Sequence, residues 1–139
     1  MLNSFKRISS TMILMVSLSL VFLISGSWSA DNESYQNISL DQFVNMFDQE
    51  YYILINVHIP YQGEIPETDL LIPFNKIDQH GDELPLDKNK KIVVYCMTGP
   101  MGYYAADKLT SMGYTKVIHF EAGMKAWSRA GRPIENRKK

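Results

Sequence analysis

Apolar residues in this 139-residue chain fall into short blocks separated by polar, turn-forming stretches, and the blocks carry two different periods. Tyr51 to Val57 (Tyr-Tyr-Ile-Leu-Ile-Asn-Val) and Ile92 to Tyr95 are near-continuous β-favouring runs, the pattern of strands covered on both faces of a parallel sheet. Leu70 to Phe74 and Lys116 to Phe120 are two more apolar runs, the second read as a last strand. Leu40, Phe43, Val44 and Phe47 instead recur at helical spacing, behind a Ser39/Gln42 pair with the spacing of a capping box. A second helical pattern runs from about Gly102 to Met112, with Tyr104, Ala105, Leu109 and Met112 on one side and Gly113 as its stop. A third covers Gly123 to Ala130 with Trp127, closed by Gly131 and Pro133. Strands alternating with helices predict an α/β domain with a parallel sheet and helices on both faces. The polar stretches read as connections. Residues 31–36 form a flexible leader, the loop after Pro60 carries Glu64, Glu67 and Asp69 in solvent, and 76–89 is rich in turn formers.

The first thirty residues stand outside this alternation. Lys6 and Arg7 precede the apolar run Met12 to Ile24, and small residues from Ser25 to Ala30 follow. That is the layout of a secretory signal peptide cut near Asp31. The run is shorter than the ~20 residues of a spanning helix, so cleavage is expected over an uncleaved membrane anchor. The expected protein is exported, periplasmic or secreted, with no stable membrane insertion after the cut.

About 110 residues then remain, enough for one domain with one core. The domain is placed at 37–134, with 135–139 as a basic, solvated tail. Without Lys6 and Arg7, twelve basic residues face fifteen acidic ones, a net charge of −3. No basic stripe interleaved with aromatics occurs, so nucleic acid is not an expected partner. Oligomeric state has no signature in the sequence.

The only cysteine, Cys96, ends the Ile92–Tyr95 run and is followed by Met97-Thr98-Gly99-Pro100-Met101-Gly102. Ligand crevices of open α/β sheets lie at the carboxyl ends of strands. A helix N-terminus beyond the turn offers unpaired N–H groups and partial positive charge, which favour a thiolate over a thiol. A buried, inert cysteine satisfies the same pattern. A lone cysteine in an exported chain has no internal disulfide partner, and an exposed free thiol in an oxidising compartment is a liability unless used. His58, His80 and His119 lack metal-ligand spacing. Cys96, Met97 and Met101 are soft ligands, but neighbours in a tight loop rarely converge on one centre. No metal or cofactor is expected.

Three segments together resemble the single-domain rhodanese-like (sulfurtransferase) family. Ile53-Leu54-Ile55-Asn56-Val57-His58 stands where that family has a strand ending in Asp-Val-Arg, and Gly63-Glu64-Ile65-Pro66 is similar to its Gly-His-Ile-Pro. Glu121-Ala122-Gly123-Met124-Lys125-Ala126-Trp127 is similar to its Glu-Gly-Gly-Met-x-Ala-Trp ending. The resemblance implies a rhodanese-like α/β fold with a sheet of about five strands. It also implies a Cys96 persulfide that takes sulfane sulfur from a small donor and passes it to a thiol or other thiophilic acceptor. The loop from Cys96 to Met101, with Gly102 behind it, would wrap the sulfur in backbone N–H groups. Gly99 would allow the tight turn and Thr98 would add a hydroxyl.

The departures point the other way. Met97 and Met101 replace arginines usual in active members, and no basic residue lies between Lys91 and Lys108. Asn56 and His58 replace the common Asp and Arg, and His58 is a candidate auxiliary cation. The resemblance therefore leaves two readings: a sulfurtransferase for a substrate less charged than thiosulfate, or a catalytically weak module that binds a protein partner or small thiol compound.

Overall fold

The computed structural model describes residues 34–137, so the signal-peptide segment and the start of the leader lie outside the described residues. Five parallel strands form one sheet in the order β1-β5-β4-β2-β3. They are β1 (Gln36–Ile38), β2 (Ile53–Asn56), β3 (Leu70–Leu71), β4 (Ile92–Tyr95) and β5 (Val117–Phe120). Three α-helices, α1 (Leu40–Phe47), α2 (Pro100–Ser111) and α3 (Gly123–Arg129), and a 3-10 helix (Phe74–His80) complete the domain.

Alternating side chains send the central strands into two cores. Ile55, Val94 and Val117 pack with Ala105, Ala106 and Leu109 of α2 and with Ile77 of the 3-10 helix. Leu54, Val93, Tyr95 and Phe120 pack on the opposite face with Phe43 of α1 and with Met124 and Trp127 of α3. Burying each such large side chain contributes about 1.5–3 kcal/mol. Phe43 stacks on Phe120 at 4.4 Å between centroids, and the Trp127 indole donates to Pro133 O at 2.8 Å, so the aromatics of this second face are held in place. The capping box forms as expected, with Gln42 N–H donating to Ser39 Oγ and Ser39 N–H to Gln42 Oε1.

Several sequence expectations need correction. The leader is short-lived: Ser34 Oγ lies 2.9 Å from Thr110 Oγ1, and Gln36 already begins β1 beside β5. Two polar residues in a three-residue strand give no period to read; pairing with β5 makes it a strand. Tyr104 is 61 % exposed, because it lies on the outer face of α2 while Ala105 and Leu109 lie on the face against the sheet. The stretch from Phe74 begins with a 3-10 helix whose Ile77 is buried.

The acidic loop and the described part of the tail are exposed at Glu67, Asp69, Glu135 and Arg137, as expected. Both are nevertheless tied down by specific contacts, and Glu64 is buried. Asp69 accepts the Leu54 N–H at 2.8 Å. Glu64, 8 % exposed, shares an antiparallel bridge with Glu135 and takes the Arg137 guanidinium at 3.2 Å on both carboxylate oxygens. Among the described residues no helix is long and apolar enough to cross a membrane.

Candidate active site

Because all five strands are parallel, their carboxyl ends share one edge of the sheet. β4 delivers Cys96 there, between β2 and β5. The turn that follows is shorter than the sequence suggests. α2 starts at Pro100, whose missing N–H and fixed φ suit the first helical position, so Met101 and Gly102 belong to the helix and not to the loop.

The loop is fixed from both sides. On one side α3 donates two backbone N–H groups into it, Met124 to Cys96 O at 2.9 Å and Lys125 to Met97 O at 3.1 Å. In a trans peptide the C=O and N–H point in opposite directions, so these bonds turn the N–H groups of Met97 and Thr98 away from α3. On the other side Gly99 adopts φ 109°, open only to glycine without strain. Its N–H reaches Cys96 Sγ at 3.1 Å. The carbonyl of Gly99 accepts from Tyr103 N–H at 3.0 Å and from His119 Nε2 at 3.1 Å. The Met101 and Gly102 N–H groups, at the second and third helical positions, have no acceptor within α2. The sulfur thus receives the Gly99 N–H at the start of a helix whose first-turn donors are left over, the elements from which an anion site is built.

Cys96 is 2 % exposed and packs in the core on the α2 side of the sheet. A reagent must enter the loop to reach it, in place of the open approach that a strand-end thiol suggests. Thr98 and Pro100 are exposed, Met97 and Met101 are half-buried, and Gly102 is buried. The Thr98 side chain faces a cleft of ≈ 560 Å³ shared with Leu40, Lys125 and Arg129.

Asn56 and His58 do other work. The buried Asn56 carboxamide donates to Gly63 O at 3.0 Å and accepts from His58 N–H at 3.0 Å, tying down the loop after β2. His58 Nε2 pairs with Gln62 Oε1 at 3.0 Å, and both Asn56 and His58 line a separate cleft to which no residue of the Cys96 loop contributes. The His58 ring is thus held by Gln62 beside a cleft of its own.

Two features are seen only in the structure, although the sequence allows the basic segment that begins at Arg129 to fold near the loop. His119 is buried under the loop and reaches back to Asn37 Oδ1 at 2.8 Å; only its place in an apolar strand hinted at a role. Lys125 and Arg129 of α3 line the clefts on either side of Met97 and Thr98. Some thirty residues separate them from the loop, so no local motif reveals them.

Comparison with known proteins agrees with this architecture. The rhodanese-like domain profile matches residues 31–130. A sulfurtransferase of Allochromatium vinosum is 34 % identical over 90 residues, covering 63 % of this chain and 81 % of that protein. The thiosulfate sulfurtransferase PspE of Escherichia coli is 32 % identical over 72 residues, covering 52 % and 69 % respectively. A rhodanese-like domain protein of Staphylococcus aureus superposes with a TM-score of 0.60 at 23 % identity, covering 73 % of this chain and 99 % of its own. The chain belongs to the rhodanese-like domain family.

Proposed function

We propose that this protein is a sulfurtransferase in which Cys96 carries the transferred sulfur. One observation supports it above the rest: the Gly99 N–H is aimed at Cys96 Sγ from 3.1 Å in a loop whose carbonyls are tied back to α3. In the first step the thiolate, its proton given to solvent, attacks the sulfane sulfur of the donor. A new S–S bond forms and the donor's S–S bond breaks, with the electron pair leaving on the donor residue. In the second step an acceptor thiolate attacks the outer sulfur, and the Cys96 thiolate departs. Nothing is oxidised or reduced overall. The loop amides stabilise the anionic sulfur in both steps. With no Arg or Lys in the loop, the favoured donor is an organic persulfide or polysulfide over the thiosulfate dianion. The sulfurtransferase relatives support transfer as the reaction type.

The second reading, a weakly active module that binds a partner or small thiol, draws support from the burial of Cys96 and the absence of loop arginines. Incubation with thiosulfate, a polysulfide or an organic persulfide, followed by intact-mass analysis, separates the two. One sulfur gained on Cys96 and lost again to added thiol is the expected result. No gain from any donor would leave the binding reading. Export belongs to the same proposal, on the strength of the Lys6–Ala30 pattern. N-terminal sequencing of protein from the periplasm or medium should give a start near Asp31, and a membrane-bound form retaining Met12–Ile24 would refute it.

A further inference from the structure

We infer that the groove between α1 and α3 is a docking surface for an acidic amphipathic helix of a partner protein. The groove measures ≈ 560 Å³, and its floor is Leu40, the first residue of α1, with Ala122, Ala126 and Ala130 along α3. Lys125 and Arg129 stand on its rim, and the same two side chains border the ≈ 340 Å³ cleft that holds Met97 and Met124. They form a basic ridge between two hollows, and no acidic residue lines either one. Both are exposed, and among the described residues neither makes an ion pair, although Glu121 lies four residues before Lys125. The chain as a whole carries a net charge of −1, so the ridge reverses the sign locally.

Charge and shape together select the occupant. Like charges four residues apart on a helix repel, and two carboxylates from a partner relieve that repulsion. On a partner helix, acidic residues at i and i+4 recur at the same spacing, with Cβ atoms about 5–6 Å apart. The apolar stripe of such a helix covers the floor, the helix-in-groove mode of recognition. A small anion uses the cations and leaves the floor bare. A flat anionic surface meets the ridge and not the recessed floor. Complementary charge also steers the encounter and rejects basic partners. Thr98 lines the groove, so a docked partner lies beside the Cys96 loop. The Cys96 side chain packs on the opposite, α2 face of the sheet. The groove therefore holds a partner without touching the sulfur, and the inference stands under either reading of the function.

The test uses the full-length protein and two labelled peptides of about 18 residues, long enough to be helical. One carries Leu along one face and Glu at i and i+4 beside it; the other has Gln in place of each Glu. Fluorescence anisotropy should show the Glu peptide binding about three- to tenfold more tightly. Lys125→Ala/Arg129→Ala should abolish that preference, and added KCl should reduce it. Ala126→Gln, which puts a neutral polar side chain on the floor, should weaken both peptides. Unfolding midpoints confirm that the variants are folded. A Glu peptide that fails to bind at millimolar concentration overturns the inference, as does a preference that survives in the double variant. Binding untouched by Ala126→Gln overturns it too, since charge alone would then be the attraction. Two other occupants are outcomes of the same test. Self-association that the Glu peptide cannot displace assigns the groove to a second copy of the chain. Binding to phosphatidylglycerol vesicles that is lost in the double variant, with no preference between the peptides, assigns the ridge to a membrane. Either result overturns the inference.

Discussion

His119 Nε2 lies 3.1 Å from the carbonyl oxygen of Gly99, the residue whose N–H points at Cys96 Sγ. A carbonyl only accepts, so Nε2 carries the hydrogen, and the Nδ1 side of the ring meets the Asn37 carboxamide. A chain of polar contacts thus runs from the edge strand β1 through β5 to the sulfur. Gly102 makes the approach possible, because a Cβ there would stand 2.6 Å from His119 Nε2.

The first prediction follows from that chain. His119→Phe removes the donor and should slow persulfide formation and alkylation at Cys96 by about tenfold, the scale on which small misplacements of reacting groups act. Its stability cost should be only about 1 kcal/mol, since Gly99 O keeps the Tyr103 N–H. His119→Gln, which retains a donor, should recover part of the rate. Equal rates in all three folded proteins would show that the ring merely fills space.

Tyr95 gives a pH prediction. Thr68 Oγ1 donates to Ile65 O at 2.6 Å, so the Tyr95 hydroxyl, 2.6 Å from Thr68 Oγ1, must donate to it while accepting the Ile65 N–H at 2.9 Å. Burial pushes this phenol well above the usual tyrosine range. Tyr52 is pushed up to about 12, by burial first and then by Asp48 and other nearby carboxylates. A raised folded pKa means that the native state holds the proton more tightly. The stability is intact below the unfolded value of ~10 and declines as pH rises beyond it. Urea unfolding between pH 8 and 11 should show that decline. Tyr95→Phe should flatten part of it, leaving the Tyr52 share, and should cost about 1–3 kcal/mol at neutral pH by orphaning the Ile65 N–H.

Strands β2, β4 and β5 were legible because long β-favouring runs buried on both faces leave a compositional mark; α1 was legible from its cap and its helical period. β1 was not, since Gln36 and Asn37 become strand residues only through pairing with β5. Of the site, Cys96 and its position at a strand end could be read. The burial of its thiol could not, because that depends on how α2 covers the sheet. The placement of Lys125, Arg129 and His119 near the loop arises where α3 and β5 meet it, a relation set by tertiary packing alone. The acidic loop misled for the same reason: Glu64 looks solvated until Arg137, seventy-three residues away, is placed beside it.

That ion pair carries the next prediction. Arg137 also donates from Nη2 to Thr68 O at 2.9 Å and from its backbone to the Tyr61 hydroxyl at 2.8 Å. Its guanidinium side is partly exposed while Glu64 is nearly covered, so the pair should be worth about 1 kcal/mol, at the top of the range for surface pairs. Arg137→Ala should lower stability by about that amount, and less so in high salt. Adding Glu64→Gln should recover part of the loss, because a neutral amide tolerates burial better than an unpaired carboxylate. A double-mutant cycle by chemical denaturation measures it, and zero coupling would mean that Arg137 acts only through its bonds to Thr68 O and the Tyr61 hydroxyl.

The last prediction concerns Met101, at the second position of α2 and half-buried against the core that holds Cys96. If lack of loop charge is what limits thiosulfate, Met101→Arg should raise kcat/KM for it. The arginine stem can cover the apolar surface that methionine covers now, with the guanidinium extended to solvent. A charge-assisted, bidentate hydrogen bond to the sulfonate end contributes about 1.5–3 kcal/mol, and each ~1.4 kcal/mol is tenfold in rate. Against this, a cation in the first turn of a helix costs about 0.3–1 kcal/mol, borne by stability more than by turnover. A gain of about ten- to a hundredfold is therefore expected, with a slightly lower unfolding midpoint. Met101→Leu is the control, since it keeps apolar volume without charge. The idea is falsified if the arginine variant is folded, alkylates normally at Cys96, and turns over thiosulfate no faster than the leucine variant. Entry of the donor to the buried thiol would then be the limiting step, and shortening the side chain of the exposed Thr98 would be the next place to look.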